Sequence, residues 1–559
     1  MNSKMLHLNL EFDDIYAAIR KHDTAGGLLA ARDVLLKNYL MEPFLRHVKS
    51  EFTSNSYRKQ GNEMYAGGNN QGALIMYNKA LLYAPKYSGA MKLAYSNRSA
   101  LLFKAIYFSA CLKDIDTCNS MGCPPEVIDK LNKRKDEALK FAFIENISTD
   151  DRASSYAEAL MKPKTSNPDI PSASLDLKII EDSNGSKIVA TRDIDVGTVL
   201  ALESPFVSGT HPENNFFSCY YCHKMSLNLI PCDGCCYVLF CNEYCQQKCM
   251  QDHHNVLCPI IDVVYTKDPD CILAAHAVVK LRQTKSWEEI IAISCGIDGK
   301  GPRNENSGIM SFISKENLHF VVGRFFDNCF RNAAIIHYLD TKTDFFPHSC
   351  DRADAIVAAS RIMMNLSIYG SAIMLFPAIT MNTLHDGQKK AGNHMISNYG
   401  LFSFIGSLKK SCLSNAAPVA INRDIALVSV MPIKKDSEIT VAHMSEHWLA
   451  DDFAKYKRPR KMFFTEKTIC TCNICNGNLS TQMLTKTQEK IYRGIDASTL
   501  QGEWASSDFF YIYKKICGIM KGLSDAPYSK EYAVVFLIFK KCTLYFQSTI
   551  SGNSVLSDV

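Results

Sequence analysis

Between residues 219 and 258, seven cysteines and one histidine fall in four close pairs. They are Cys219-x2-Cys222, Cys232-x2-Cys235, Cys241-x3-Cys245 and His254-x3-Cys258. Zinc takes four tetrahedral thiolate or imidazole ligands, and a short-spaced pair on one turn supplies two at once. Eight ligands make two sites with every position filled, which hold backbone rather than activate water. His253 lies beside His254 and can reach the same place; Cys236 and Cys249 are surplus. Farther on, Cys470-x-Cys472-x2-Cys475 supplies three thiolates and lacks a fourth, for which Cys412 is the candidate.

The chain has 559 residues and 22 cysteines. Its first residues, MNSKMLHLNLEFDDIY, show no basic-then-apolar secretory segment. The apolar run from Val534 to Phe539 is far shorter than the ~20 residues that cross a bilayer. The expectation is a soluble, non-secreted protein, in which close cysteine spacing favours metal over disulfide. An apolar fraction of 47% suits a globular chain, and the length, at ~100–200 residues per domain, implies several domains. The balance of 62 basic and 57 acidic residues, with no Lys/Arg stripe, argues against a nucleic-acid binder.

The elements around these cysteines change along the chain. From Tyr57 to Tyr83, Tyr65, Ala73, Leu74, Tyr77, Ala80 and Leu81 fall at helical spacing; Gly67, Gly68 and Asn69 break the run into two helices, and Pro85 ends the second. A second unit runs from Ala94 to Asp116, roughly one ~34-residue period later, and a third helix starts near Lys130. One helical hairpin cannot bury its own apolar face, so such units stack; the pattern resembles a tetratricopeptide array. Residues 148–174, rich in Ser, Thr, Asn, Asp and Pro, read as a linker. Residues 175–207 read as strands broken at Asn184-Gly185 and Val196-Gly197. Residues 268–338 are mostly helical, strands return at 419–443, and the remainder past 479 is helical again.

The four pairs resemble a MYND finger. A β-rich segment, this finger, helices, more strands and then C-x-C-x2-C resemble the SET-and-MYND protein-lysine methyltransferases over about residues 175–478, in the branch with a leading tetratricopeptide array. NGSKIVATRDIDVGTVLALESPFV resembles the first SET strands, and LFPAITM (Leu375 to Met381) the approach to the central motif. SCLSNAAPVAI resembles its exit, and KRPRKMFFTEKTICTCNIC the post-SET segment. The resemblance implies an α+β multidomain chain. Its parts are a tetratricopeptide-like helical region (1–147), linker (148–174), SET amino-terminal part (175–218), MYND finger (219–258), helical SET insertion (259–368), SET core (369–445), post-SET segment (446–478) and helical carboxy-terminal region (479–559). It also implies interleaved ligands: Cys219, Cys222, Cys241 and Cys245 for one zinc, and Cys232, Cys235, His254 and Cys258 for the other. A third, post-SET zinc would take Cys412, Cys470, Cys472 and Cys475.

The implied reaction is in-line methyl transfer from S-adenosylmethionine to a deprotonated lysine amine in an aromatic channel, with no metal in the step. By resemblance the cofactor lies against Gly185, Ser186 and Lys187 and against an Asn-His pair just before Ser-Cys. Here that pair is Lys409 and Lys410, ahead of Ser411-Cys412. The channel tyrosine is replaced by His443, followed by Met444, and the post-SET aromatic positions hold Glu466 and Thr468. Lysine offers only donors and a charge. Beside the cationic sulfonium at ~4 Å and an effective dielectric near 20 it costs up to ~4 kcal/mol. Two segments imitate the missing motif: Phe346-Pro347-His348-Ser349-Cys350, which lacks the Asn, and Asn393-His394, inside an apparent insertion between Met381 and Lys409 and followed by Met395-Ile396.

In the helical repeats Arg58 and Asn62 are four apart, Asn97 sits in the second unit, and Lys130 and Arg134 are four apart in the third helix. That spacing puts each pair on one helix face. Tetratricopeptide arrays of this kind clamp a terminal carboxylate with charge-assisted hydrogen bonds. Two functions compete: a lysine methyltransferase weakened or disabled at its pocket, and an adaptor binding acidic tails through the array and proline-rich peptides through the finger, in chaperone or transcription-corepressor complexes. Either would be a monomer of cytoplasm and nucleus, with protein partners and no membrane.

Overall fold

Ser50, Asn69 and Ser88 each accept an amide hydrogen from three residues ahead, and each opens a helix. The computed structural model describes residues 12–41, 46–148, 159–182, 185–210, 216–224, 226–296, 322–368, 373–377, 396–411, 414–442, 482–495, 509–527 and 529–550. Among these, seven helices precede the first long strand: α1 (Asp13–Lys21), α2 (Thr24–Lys37), α3 (Glu51–Ala66), α4 (Asn70–Tyr83), α5 (Gly89–Lys104), α6 (Phe108–Ser120) and α7 (Pro125–Ser148). The predicted break at Gly67–Asn69 is present, with Gly68 at φ +80° in the left-handed region that glycine tolerates. Helices α3 to α7 stack as hairpins around Ala80, Leu81, Ala94, Leu102, Cys111, Ile115 and Leu131. The third helix begins at Pro125, ahead of the expected start near Lys130.

The first two helices do not join this array. Ile15, Leu28, Ala31 and Leu35 share a core with α9 (Pro269–Thr284), α10 (Trp287–Ser294), α11 (Val322–Lys342) and α12 (Arg352–Ile368); α8 (Glu243–Cys249) lies in the cysteine block. At Gly27 a β-carbon would come within 2.7 Å of the Phe325 ring, so α2 can seat on α11 only with glycine there. Thr24 donates to the Asn365 side chain across the same contact. The helical region expected over 1–147 is thus two structures.

The strands are β1 (Leu177–Asp182), β2 (Gly185–Ala190), β3 (Val199–Glu203), β4 (Val207–Thr210), β5 (Ile230–Pro231), β6 (Leu239–Phe240), β7 (Ile373–Pro377), β8 (Ile396–Leu401), β9 (Lys409–Ser411), β10 (Ala416–Ile421), β11 (Asp424–Ser429) and β12 (Thr440–Ala442). They form small sheets: β1–β2, β10–β11–β3, β4–β8–β7, β5–β6 and the parallel pair β9–β12. Leu177, Leu200, Phe402, Ile405, Leu427, Ile439 and Val441 make the core shared by β1–β2, β10–β11–β3 and β9–β12. Helices α14 (Lys486–Arg493), α15 (Phe509–Gly522) and α16 (Lys530–Ile550) follow, and Ile516, Met520, Val535 and Phe539 cover Val419, Ala426 and Val428.

One expectation changes. Residues 161–174 are not a solvated linker: Met161, Ile170 and Ala173 are buried, and the Asn167 side chain donates to the carbonyls of Ser174 and Leu177. The composition that suggests a linker here serves local side-chain-to-backbone bonds instead. Of LFPAITM, Leu375, Phe376 and Pro377 lie in β7, which pairs with β8; β8 and the short helix α13 (Phe404–Ser407) lead into β9. No helix among the described residues is long and apolar enough to cross a membrane.

Candidate zinc centres and cofactor face

The β5–β6 hairpin and the start of α8 bring the cysteine pairs together. Cys232 N donates to the Val238 carbonyl, and the Asn242 side chain accepts the amide of Cys245, fixing that thiol at the first turn of α8. The ligand atoms of Cys219, Cys222, Cys241 and Cys245 lie within 4.8 Å of one another, and so do those of Cys232, Cys235, His254 and Cys258. Zinc–sulfur bonds of ~2.3 Å imply tetrahedral edges of about 3.8 Å. The observed separations are 3.7 Å for Cys222–Cys241, 3.5 Å for Cys241–Cys245, 3.9 Å for Cys232–Cys258 and 3.7 Å from Cys235 Sγ to His254 Nε2. Both clusters therefore fit zinc.

The choice between the two histidines is resolved by a π-turn, Met250–His254. His254 turns into the second cluster. His253 instead stacks on His276 at 4.1 Å and lies 3.8 Å from the surplus Cys249. Burial pushes His276 down to about 3, so it is neutral. Its Nδ1–H donates to the Ser208 carbonyl on β4 (3.1 Å) and its Nε2 accepts from the Tyr220 hydroxyl (3.0 Å), which keys the finger to the sheet.

On the other side, β9 carries Lys409 and Lys410 parallel to β12, with Lys409 opposite Thr440 and Lys410 opposite Val441. Gly185, Ser186 and Lys187 open β2, which borders the segment leading into β12: Ile439 N donates to the Ile188 carbonyl, and Val189 bridges to Glu438. The two expected groups thus flank one stretch of chain, Ser437 to Ala442. Lys409 reaches outward and pairs with Glu438 at 2.7 Å. Lys410 is mostly buried, which pushes its ammonium down to about 8. Both side chains are donors only while charged. His443, Cys412, Cys470, Cys472, Cys475, Glu466, Thr468 and Asn393-His394 lie outside the described residues. Of the imitating segment 346–350, Phe346 stacks on Trp287, while His348, Ser349 and Cys350 form an exposed turn before α12.

Two residues that hold this face have weak signals in sequence. Asn415 donates to the Glu438 carbonyl (2.8 Å) and accepts from Thr440 N (2.8 Å), fastening the exit segment to β12. Glu203 is buried and accepts from the Ser403 hydroxyl and from the amides of Phe404 and Ile405. Burial nonetheless holds its carboxyl above the ordinary range. An asparagine after Ser-Cys and a glutamate within an apolar strand were the only hints.

In the array, Asn97 donates to Asn62 at 2.6 Å, and Asn62 also accepts from Tyr77. Arg58 donates to Asn55, whereas Arg134 is engaged by the Ser96 carbonyl and Ser99 hydroxyl of α5. Lys130 is exposed. The structure brings the asparagines together and commits Arg134 to holding α7 on α5.

No family model matches the chain. Curated relatives do. Protein-lysine N-methyltransferase SMYD4 of Pongo abelii is 25% identical over 297 residues, covering 42% of this chain and 36% of that protein. The Homo sapiens protein of the same name gives the same figures. The Danio rerio protein of that name is 27% identical over 272 residues, covering 46% of this chain and 36% of its own length. The chain thus spans about a third of the length of these relatives. It is similar to SET-and-MYND protein-lysine methyltransferases in sequence as well as in motif order.

Proposed function

We propose that this chain is a zinc-stapled, methyltransferase-like SET/MYND protein in which methyl transfer to lysine is weakened or lost, and whose array and finger bind client peptides. The Lys409–Lys410 pair on β9 carries this reading. Zinc in the two finger sites would fix the loops that bear the ligands, with no open position for chemistry. S-adenosylmethionine, when bound by such a fold, supplies the methyl group. Here the residues facing it by resemblance would repel its sulfonium. The exposed Lys130 and the Asn62–Asn97 pair would meet an acidic tail, and the finger proline-rich segments.

The test is calorimetric titration of zinc-loaded protein with S-adenosylmethionine, beside Lys409→Asn/Lys410→His. No heat from the parent, with binding by the double variant, is the expected result. Micromolar binding by the parent together with transfer to a lysine peptide would overturn it. The Lys409–Glu438 ion pair favours that second reading, since it draws one positive charge outward. For the array, Asn97→Ala should weaken binding of an acidic carboxy-terminal peptide; unchanged affinity removes the clamp.

A further inference from the structure

Arg98 on α5 is completely buried, and so is its partner Asp114 on α6. Its Nε and Nη2 each donate to an Asp114 oxygen at 2.7 Å, and its Nη1 donates to Asn78 on α4 at 2.6 Å. A guanidinium removed from water is tolerated only when its donors are met. The array does not meet them all. Nη1 also donates to the carbonyl of Leu229, in the finger, at 2.9 Å. The carboxylate is served in the same way: Asn228 Nδ2 donates to Asp114 at 2.8 Å and to the Ala110 carbonyl at 2.8 Å. Asn78 in turn donates to the Phe216 carbonyl at 2.7 Å.

In the same segment Leu227 packs against the array and Ile230 against the finger's own cluster. Leu229 is separated from the ligand Cys232 only by Ile230 and Pro231, the whole of β5. Leu229 and Leu239 pack with Leu82 of α4 in a cluster of three buried side chains. The cluster that receives Ile230 includes the ligand cysteines Cys232, Cys235 and Cys258, so the segment's position depends on those ligands. We infer that the second zinc site and helices α4 to α6 form one thermodynamic unit, joined through Asn228, Leu229, Arg98 and Asp114. Loss of zinc there loosens the array that presents Asn62 and Asn97, and loosening of the array releases zinc, because such coupling is reciprocal. The inference rests on the zinc reading above.

The experiment uses the full zinc-loaded chain, with zinc counted by elemental analysis before and after chelation. Amide exchange is followed in α4–α6 and, as reference, in α15. Stripping zinc should speed exchange in α4–α6 by about ten-fold, within the usual range of inter-site coupling, and leave α15 unchanged. Asn228→Ala, which keeps every ligand, should release one zinc to a chelator several-fold faster than the parent and the remaining zinc at the parental rate. Unchanged exchange in α4–α6 after zinc has been removed overturns the coupling alone, and so do equal release rates in parent and variant. A parent that holds no zinc sinks the zinc reading and the coupling together.

Discussion

The two sides of this molecule treat buried charge in opposite ways. At the joint between array and finger, Arg98 and Asp114 are sealed from water with partners from three helices and a loop. At the β9 face, Lys409 escapes to the surface to find Glu438, and Lys410 is left with burial pulling its ammonium down. One region is organised to keep its charges; the other carries charges where a cationic cofactor would be expected.

Several measurements break or sharpen that contrast. The largest effect should come from Cys235→Ser, which removes a ligand from the second cluster. Structural zinc in small finger modules supplies ~10–16 kcal/mol of binding free energy, so loss of one bound zinc by elemental analysis and early melting of the finger by circular dichroism are expected. Next, Arg98→Met should cost about 3–5 kcal/mol in chemical denaturation, since Asp114 then stays buried without its cation. Arg98→Met/Asp114→Leu should recover most of that loss; failure to recover would mean the pair is not the element that matters. Glu203→Ala on the sheet side should cost about 1–3 kcal/mol by leaving the Phe404 and Ile405 amides unmet.

Lys410 gives a signature in pH. Its folded ammonium titrates at about 8 against an ordinary 10.5, so between those values the unfolded chain holds more protons and stability rises with pH. Below about pH 8 both states are protonated and the full penalty applies. Lys410→Met should flatten the slope between pH 8 and 10.5. The smallest effect belongs to Lys409→Met, where an exposed ion pair is worth roughly 0–1 kcal/mol. A larger loss there would mean that the pair shapes β9 rather than decorating it.

What sequence could and could not reveal follows the range of the interactions. The zinc clusters were legible because each ligand pair is local and chemically distinctive. The α3–α4 break was legible because Gly68 and Asn69 act within a turn. The interleaving and the choice of His254 needed the family resemblance, and the π-turn that aims His254 carries no spacing signal. Arg98 was illegible: its partners lie 16, 20 and 131 positions away, and a lone arginine inside a helix reads as surface. The placement of α1 and α2 was missed for the same reason, since an apolar helix face does not say which neighbour it meets. Segment 161–174 misled because Asn and Ser can serve either solvent or backbone.

The seat of α2 on α11 and α12 also sets a schedule. Thr24 finds Asn365 across 341 positions, and translation at ~5–20 residues per second delivers that partner roughly 17 to 70 s later. Until α9 and α11 are made, Leu28, Ala31 and Leu35 lack most of the side chains that cover them in the folded chain, while α3 to α7 can already stack. During synthesis the first helices should therefore wait while the helices behind them are made, a natural point of engagement for holding chaperones.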